Sequence, residues 1–276
     1  MLRKISRFIA VFAAILMLTA IFPMQAHSQE GVRVPIIMYH SITGKAQNPW
    51  AIPPSALEAD LEYLSENGYT AVFISELIDF VHGRGTLPEN PIVLTFDDGL
   101  YNNITLALPL IEKHDMRMVI SIIGEPTQLF SETPDLSERY GHLSWEQMRD
   151  MLNSGRVEFA NHTWALHSNE RGRRGCCRKD GECFEEYRNL LIADLKRLQD
   201  ALLENCGVVP ATFTYPYGSK CPELLQILRE LGFLATLSCG EGINLLTPGD
   251  TEVLYDLKRF NRDPDRSVEY LLGRHL

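Results

Sequence analysis

The sequence predicts a parallel α/β protein built as a (β/α) barrel, and three observations lead there. Short apolar runs alternate with helix-like segments almost to the C-terminus, the pattern of repeated βα units. Roughly seven to eight such units in about 250 residues suit one barrel better than two small domains. Polar residues able to react fall at the C-terminal ends of the strand candidates, the rim where parallel sheets collect their chemistry.

The N-terminus stands apart from this pattern. Residues 2–7 carry three positive charges, residues 8–22 are an apolar run, and PMQAHSQE follows. That is the layout of a secretory signal peptide, with Ala26-His27-Ser28 as a small-x-small cleavage site, and the run is short for a membrane span. Residues 1–28 are read as the signal peptide and 29–276 as one domain acting outside the cytoplasm. Membrane attachment is then expected only through the N-terminal segment, if it stays uncleaved.

Strand candidates follow at 34–41, 70–74, 92–97, 117–123, 157–162, 211–215 and 234–238. Each is a short, mostly apolar run. Helical periodicity covers 55–67, 76–82, 103–113, 144–154, 184–205 and 222–231. Ser144 and Gln147 form a capping box at the start of the fourth of these.

The chain holds 26 basic and 36 acidic residues, a net charge of −10. Loss of the first 28 residues removes three bases and no acids, leaving 23 against 36, or −13. That balance argues against nucleic acid or an anionic membrane as the main partner. All six cysteines (176, 177, 183, 206, 221 and 239) lie in the expected exported part, where up to three disulfides could form. The run CCRKDGEC could close a small loop by pairing Cys183 with Cys176 or Cys177, a reading preferred to a cysteine zinc site because no second ligand pair lies nearby.

The strand ends gather the candidate chemistry. The first ends in Met38-Tyr39-His40-Ser41, the third in Asp97-Asp98-Gly99, the fifth in Asn161-His162-Thr163 with His167 just beyond, and a later one in Tyr215-Pro216-Tyr217-Gly218. In a barrel these share one rim. Two histidines and one aspartate are a common ligand set for a catalytic divalent metal. No regular helix or strand lets His162 and His167 reach one ion, so a turn through 164–166 is required. Adjacent aspartates on a strand face opposite ways, so if Asp98 binds a metal, Asp97 is free to take a proton from an attacking water. His82, His114, His142 and His275 read as ordinary structural histidines, and Asp-Asp-Gly alone would be an ordinary turn.

Together, TFDDG (95–99), HTWALH (162–167) and YPYG (215–218) resemble the polysaccharide deacetylase family, carbohydrate esterase family 4. The resemblance spans roughly 34–260. It implies a distorted (β/α)7 barrel and metal-dependent removal of acetyl groups from N-acetylated sugars in chitin, peptidoglycan or poly-N-acetylglucosamine. It further implies Asp97 as general base, Asp98, His162 and His167 as metal ligands, and the Tyr217 backbone amide as an oxyanion donor. Zinc is the metal expected, with cobalt, nickel or iron as alternatives.

Three features depart from the family pattern. The histidines are five apart instead of four, Thr214 stands where many members carry an arginine that orients the base, and the late Asp-Trp and Leu-x-His motifs are absent. Secreted poly-N-acetylglucosamine deacetylases share the wider spacing and carry the acid-bearing strand at the N-terminus, and IIMYHSI (36–42) matches it. His40 is then the expected general acid. Two other readings stay open: a degenerate glycan-binding member of the fold, favoured by the missing arginine, and an esterase acting on O-acetylated sugars.

Overall fold

Eight short strands, all parallel to their neighbours, wrap into a ring in this computed structural model, which describes residues 31–44, 49–169 and 172–274. The expected signal peptide and His275 lie outside the described residues. In chain order the ring strands are β1 (Ile36–Tyr39), β2 (Pro91–Phe96), β3 (Met118–Ile122), β4 (Val157–Asn161), β5 (Thr212–Thr214), β6 (Ala235–Leu237), β7 (Tyr255–Leu257) and β8 (Phe260–Asn261). Their spatial order is β7-β6-β5-β4-β3-β2-β1-β8. Only Lys258 and Arg259 separate β7 from β8, so the two ends of the sheet are halves of one split strand. One half pairs with β6 and the other with β1, which closes the ring. Counting the halves once gives seven strands (8 − 1), the distorted (β/α)7 barrel that the motifs imply.

Register decides where the chemistry falls. Tyr39 pairs with Phe96, Ile122 with Asn161, and Thr214 with Leu237, so these strands end level with one another. The ladder runs one residue further: the amides of Asp97, His162 and Tyr215 donate to Tyr39 O, Ile122 O and Leu237 O at 2.9, 2.9 and 3.1 Å. The backbone of each reactive segment is thereby tied to the rim by the sheet itself.

Outside the ring, helices bury one apolar face each. All six residues of β2 are buried, as expected for a strand covered on both faces. Leu57, Leu61 and Leu64 of the Pro54–Glu66 helix, Met148 and Met151 of Trp145–Asn153, and Leu198 and Leu202 of Phe184–Cys206 join the same cluster. Each fully buried side chain of this kind contributes about 1.5–3 kcal/mol. The Ser144–Gln147 capping box forms as read, with Ser144 Oγ accepting from Gln147 N. Among the described residues no helix is long and apolar enough to cross a membrane.

Other expectations needed correction. The 103–113 helix is split into a π turn at Asn103–Ala107 and an α-helix at Leu108–Lys113, where Pro109 has no N–H to give to an α ladder. Of the 70–74 strand only Thr70–Ala71 pairs, with the start of β2 and off the ring. The Phe73 amide then donates to Glu76 Oε2 at 2.8 Å and the chain turns into the Ile74–Val81 helix. The helices Gly124–Glu132 and Val268–Gly273, and the split strand β7/β8, escaped the sequence reading. Gly-Glu-Pro looks like a turn, and the charges of Asp256, Lys258 and Arg259 hide a strand.

Candidate active site

The rim opens into a cavity of about 530 Å³, and His40, Asp97, Asp98, His162, His167 and Tyr217 all line it. A second hollow of about 850 Å³ beside it is lined by Thr43, Ala51, Pro53 and Arg266 and, among the described residues, holds no histidine or cysteine.

Both aspartates face the same cavity, so strand alternation is not what separates them. β2 ends at Phe96, and Asp98 has φ +75, a left-handed conformation that swings its side chain back to the rim. Gly99 continues the turn with φ +66, and a Cβ there would lie 2.8 Å from Ile122 Cδ1, so both conformation and space call for glycine. His142 holds the turn by donating from Nδ1 to Asp98 O at 3.0 Å. A non-glycine residue in this region costs of order 1–3 kcal/mol and persists where surrounding contacts enforce it.

The two histidines converge through the required turn. His162 follows β4, Thr163 takes φ +76, and Asn161 Oδ1 accepts from Thr163 N at 2.9 Å. The Asp194 carboxylate, on the Phe184–Cys206 helix, accepts from the amides of Trp164 and Ala165 at 2.8 and 2.9 Å. Gly124 makes room for the Trp164 indole, which a Cβ at that position would strike. Asp194 is a positioning residue that sequence reading missed. Asp194→Ala leaves the Trp164 and Ala165 amides without their acceptor, the first partly buried and the second exposed, and we expect a stability loss of about 1 kcal/mol and metal affinity weaker by roughly 10–100-fold. Denaturation and a metal titration check this; unchanged affinity would detach Asp194 from the site.

His162 Nδ1–H donates to Thr214 O at 2.8 Å, which leaves the Nε2 lone pair turned to the cavity. Its Nε2 lies 3.7 Å from Asp98 Oδ1, and His167 Nε2 lies 3.6 Å from the same oxygen. These separations exceed hydrogen-bond length. Burial pushes the His162 pKa down to about 3 and lowers that of His167, so both imidazoles are neutral at pH 7. Asp98 Oδ1 is buried without a hydrogen-bond partner, and burial raises its carboxyl pKa to about 6. An ion pair is therefore a poor account of the cluster. Three donors about 2.0–2.2 Å from one tetrahedral ion would stand roughly 3.3–3.6 Å apart, close to what is seen. The donor set fits a divalent metal, and Asp98, His162 and His167 would hold it.

Asp97 is treated differently. Arg259 grips it with Nη1 to Oδ1 at 2.8 Å and Nη2 to Oδ2 at 2.9 Å. The guanidinium is fully buried and also donates to Ser238 O and Thr95 Oγ1. Burial acts to raise the Asp97 pKa, but the Arg259 charge and hydrogen bonds outweigh it and hold the carboxyl well below the usual range. The arginine expected to be missing at Thr214 is supplied from the split strand. Thr214 instead bonds Ser121 Oγ at 2.7 Å through its hydroxyl and orients His162 through its carbonyl. The one sign of Arg259 in the sequence is its place in a charged pair, Lys258-Arg259, between Leu257 and Phe260, both fully buried.

His40 stands at the end of β1, its ring 4.9 Å from that of Trp50. Asn103 Nδ2 donates to His40 O at 3.1 Å and Ile42 N donates to Asn102 Oδ1 at 2.9 Å, so the π turn after the aspartates anchors the His40 segment. Tyr217 closes the other side, with φ +57 and its ring 4.5 Å from His167.

A family model described as polysaccharide deacetylase matches residues 84–236, more than half of the chain. The chain belongs to the polysaccharide deacetylase family. Among curated polysaccharide deacetylases, the poly-β-1,6-N-acetyl-D-glucosamine N-deacetylase of Escherichia coli K12 is 27% identical over 272 residues, covering 84% of this chain and 40% of that one. The enzyme of the same name from Staphylococcus aureus is 22% identical over 86% of this chain and 76% of its own. The chain thus spans well under half the length of the Escherichia coli relative. Of solved structures, a de-N-acetylase from Aggregatibacter actinomycetemcomitans shares the fold with TM-score 0.74 at 24% identity, covering 88% of this chain and 99% of that one. IcaB from Ammonifex degensii gives TM-score 0.69 at 26% identity over 86% and 93%.

Proposed function

We propose that this polysaccharide deacetylase removes acetyl groups from N-acetylglucosamine units of an extracytoplasmic glycan with the help of a divalent metal, zinc being the ion a His2Asp set suits best. The observation that carries this reading is the pairing of an orphaned Asp98 oxygen between two neutral imidazoles with an ionised Asp97 alongside. The names of the Escherichia coli and Staphylococcus aureus relatives support poly-N-acetylglucosamine as the substrate class.

When bound, the ion would polarise the acetyl carbonyl and acidify the attacking water. Asp97, oriented by Arg259, takes that water's proton. The Tyr217 amide donates to the oxyanion as the carbonyl becomes tetrahedral. His40 gives a proton to the departing amine, leaving a free amino sugar and acetate. Arg259 counts against the degenerate-binder reading, because the base now has its orienting partner.

Acetate release from N-acetylglucosamine polymers, measured with chelator and after zinc is restored, tests the reaction. His40→Gln is expected to lower kcat by about 10²–10⁴-fold with metal content unchanged. Chelator-insensitive release would overturn the metal's part, and a His40→Gln enzyme of full activity would remove His40 from it. Release from O-acetylated but not N-acetylated sugars would favour the esterase.

A further inference from the structure

We infer that Cys177 and Cys221 are a dithiol pair that closes to a disulfide and clamps the 172–183 loop against the turn that carries Tyr217. The pairing expected within CCRKDGEC is not the one the fold prepares: Cys183 is exposed at the start of the Phe184–Cys206 helix, and all six cysteines are free thiols. Contacts instead converge on Cys221. Its sulfur lies 3.7 Å from the Tyr187 hydroxyl, which donates to Cys176 O at 2.9 Å and so holds the loop over it. The Cys177 and Cys221 thiols lie near enough to perturb one another electrostatically, and the Arg178 amide acts on Cys221 as well. Ser219 Oγ, two residues before Cys221, donates to Cys177 Sγ at 3.6 Å.

The remaining thiols are occupied elsewhere. Cys206 contacts Trp145 O, and Cys239 sits beside Arg259. Cys176 is fully buried, whereas Cys177 and Cys221 are each partly open to solvent. The two segments that the bond would join bring Arg174 and Tyr217 to the proposed catalytic cavity, so the clamp fixes part of its mouth.

Closure needs an oxidant, which we take to be a small-molecule disulfide such as oxidised glutathione. The Cys221 thiolate attacks one sulfur of that disulfide and expels one thiolate. Cys177 loses its proton to solvent and attacks the Cys221 sulfur of the mixed disulfide, releasing the second thiol. Two protein thiols are oxidised and one disulfide is reduced. The neighbouring Cys177 thiol, with the Arg178 and Leu224 amides, outweighs burial and draws the Cys221 thiol below its ordinary value, which suits it to attack first.

The test uses the full chain, incubated with oxidised glutathione, blocked with maleimide, digested and mapped by mass spectrometry. The expected result is a cross-linked peptide pair containing Cys221 and the Cys176-Cys177 segment, two fewer labelled thiols, reversal by dithiothreitol, and a higher Tm than the reduced protein. The link should vanish in Cys177→Ser and persist in Cys176→Ser. Full labelling of Cys177 and Cys221 after oxidation, a link to Cys183 in their place, or a link that survives Cys177→Ser would each overturn the pairing. None of these readings depends on deacetylation, so the pairing can fail or stand without touching the proposed activity.

Discussion

Asp98→Asn is expected to lose the metal and, with it, turnover, whereas Asp97→Asn is expected to keep the metal and lose turnover alone. The asymmetry follows from how each carboxylate is partnered. Asp98 Oδ1 is orphaned between His162 Nε2 and His167 Nε2, so an ion is the one partner the geometry offers it. It is also the sole anionic donor of the three, and an amide leaves two neutral imidazoles to hold a dication. We expect metal affinity to fall by more than the roughly 10–100-fold that changes to outer hydrogen-bond partners cause. Asp97 has both oxygens committed to Arg259 and contributes no donor to the metal set. Its amide variant should retain zinc while kcat drops by about 10²–10⁴-fold.

Two readouts besides activity separate the variants. Metal analysis should find zinc in wild type and Asp97→Asn and little in Asp98→Asn. A ligand at 100 times its Kd stabilises a protein by about 2.7 kcal/mol, so added zinc should raise the Tm of the first two and leave the third unmoved. If both variants bound zinc equally poorly, Asp97 would be a ligand and the division of labour would be wrong.

That the residues of this candidate site share one cavity was legible in the sequence, but the reason for their separation was not. In-register parallel strands place His40, Asp97, His162 and Tyr215 one step beyond their strand ends, and apolar runs mark those ends well. The argument from strand alternation failed at Asp98, because a left-handed residue cancels alternation, and nothing in Asp-Asp-Gly distinguishes that turn from an ordinary one. What holds the site was harder to see. Asp194 acts from a helix across 30 residues of chain, and its carboxylate caps amides that no local pattern predicts. Arg259 reaches Asp97 across 162 residues from a strand split into pieces of three and two residues, too short for periodicity to register. Placing the missing arginine by motif position at Thr214 looked in the wrong strand.

Arg259→Met should be the most damaging single change to the fold near the site. It strands the Asp97 carboxylate in the barrel with its main charge partner gone. Removing one member of a buried pair typically costs about 3–5 kcal/mol, and the loss also empties the acceptors Ser238 O and Thr95 Oγ1. Arg259→Lys keeps a charge but cannot reproduce the two-pronged grip, so it should cost less and still lower kcat by misplacing the base. The pH dependence has a definite sign. Asp97 has its folded pKa depressed below the unfolded value of about 3.9, so the pair stabilises fully above that value and fades as pH falls through the folded pKa. The stability gap between wild type and Arg259→Met is therefore expected to be wide at pH 7 and to narrow in acid. Adding Asp97→Asn to Arg259→Met should recover part of the loss, since the buried charge is then gone. Urea denaturation of wild type, Arg259→Met, Asp97→Asn and the double variant, from pH 7 down to about pH 2, measures each of these terms. A gap that stayed constant with pH, or a double variant as unstable as the two single losses summed, would mean that Arg259 serves packing and does not hold the charge of the base.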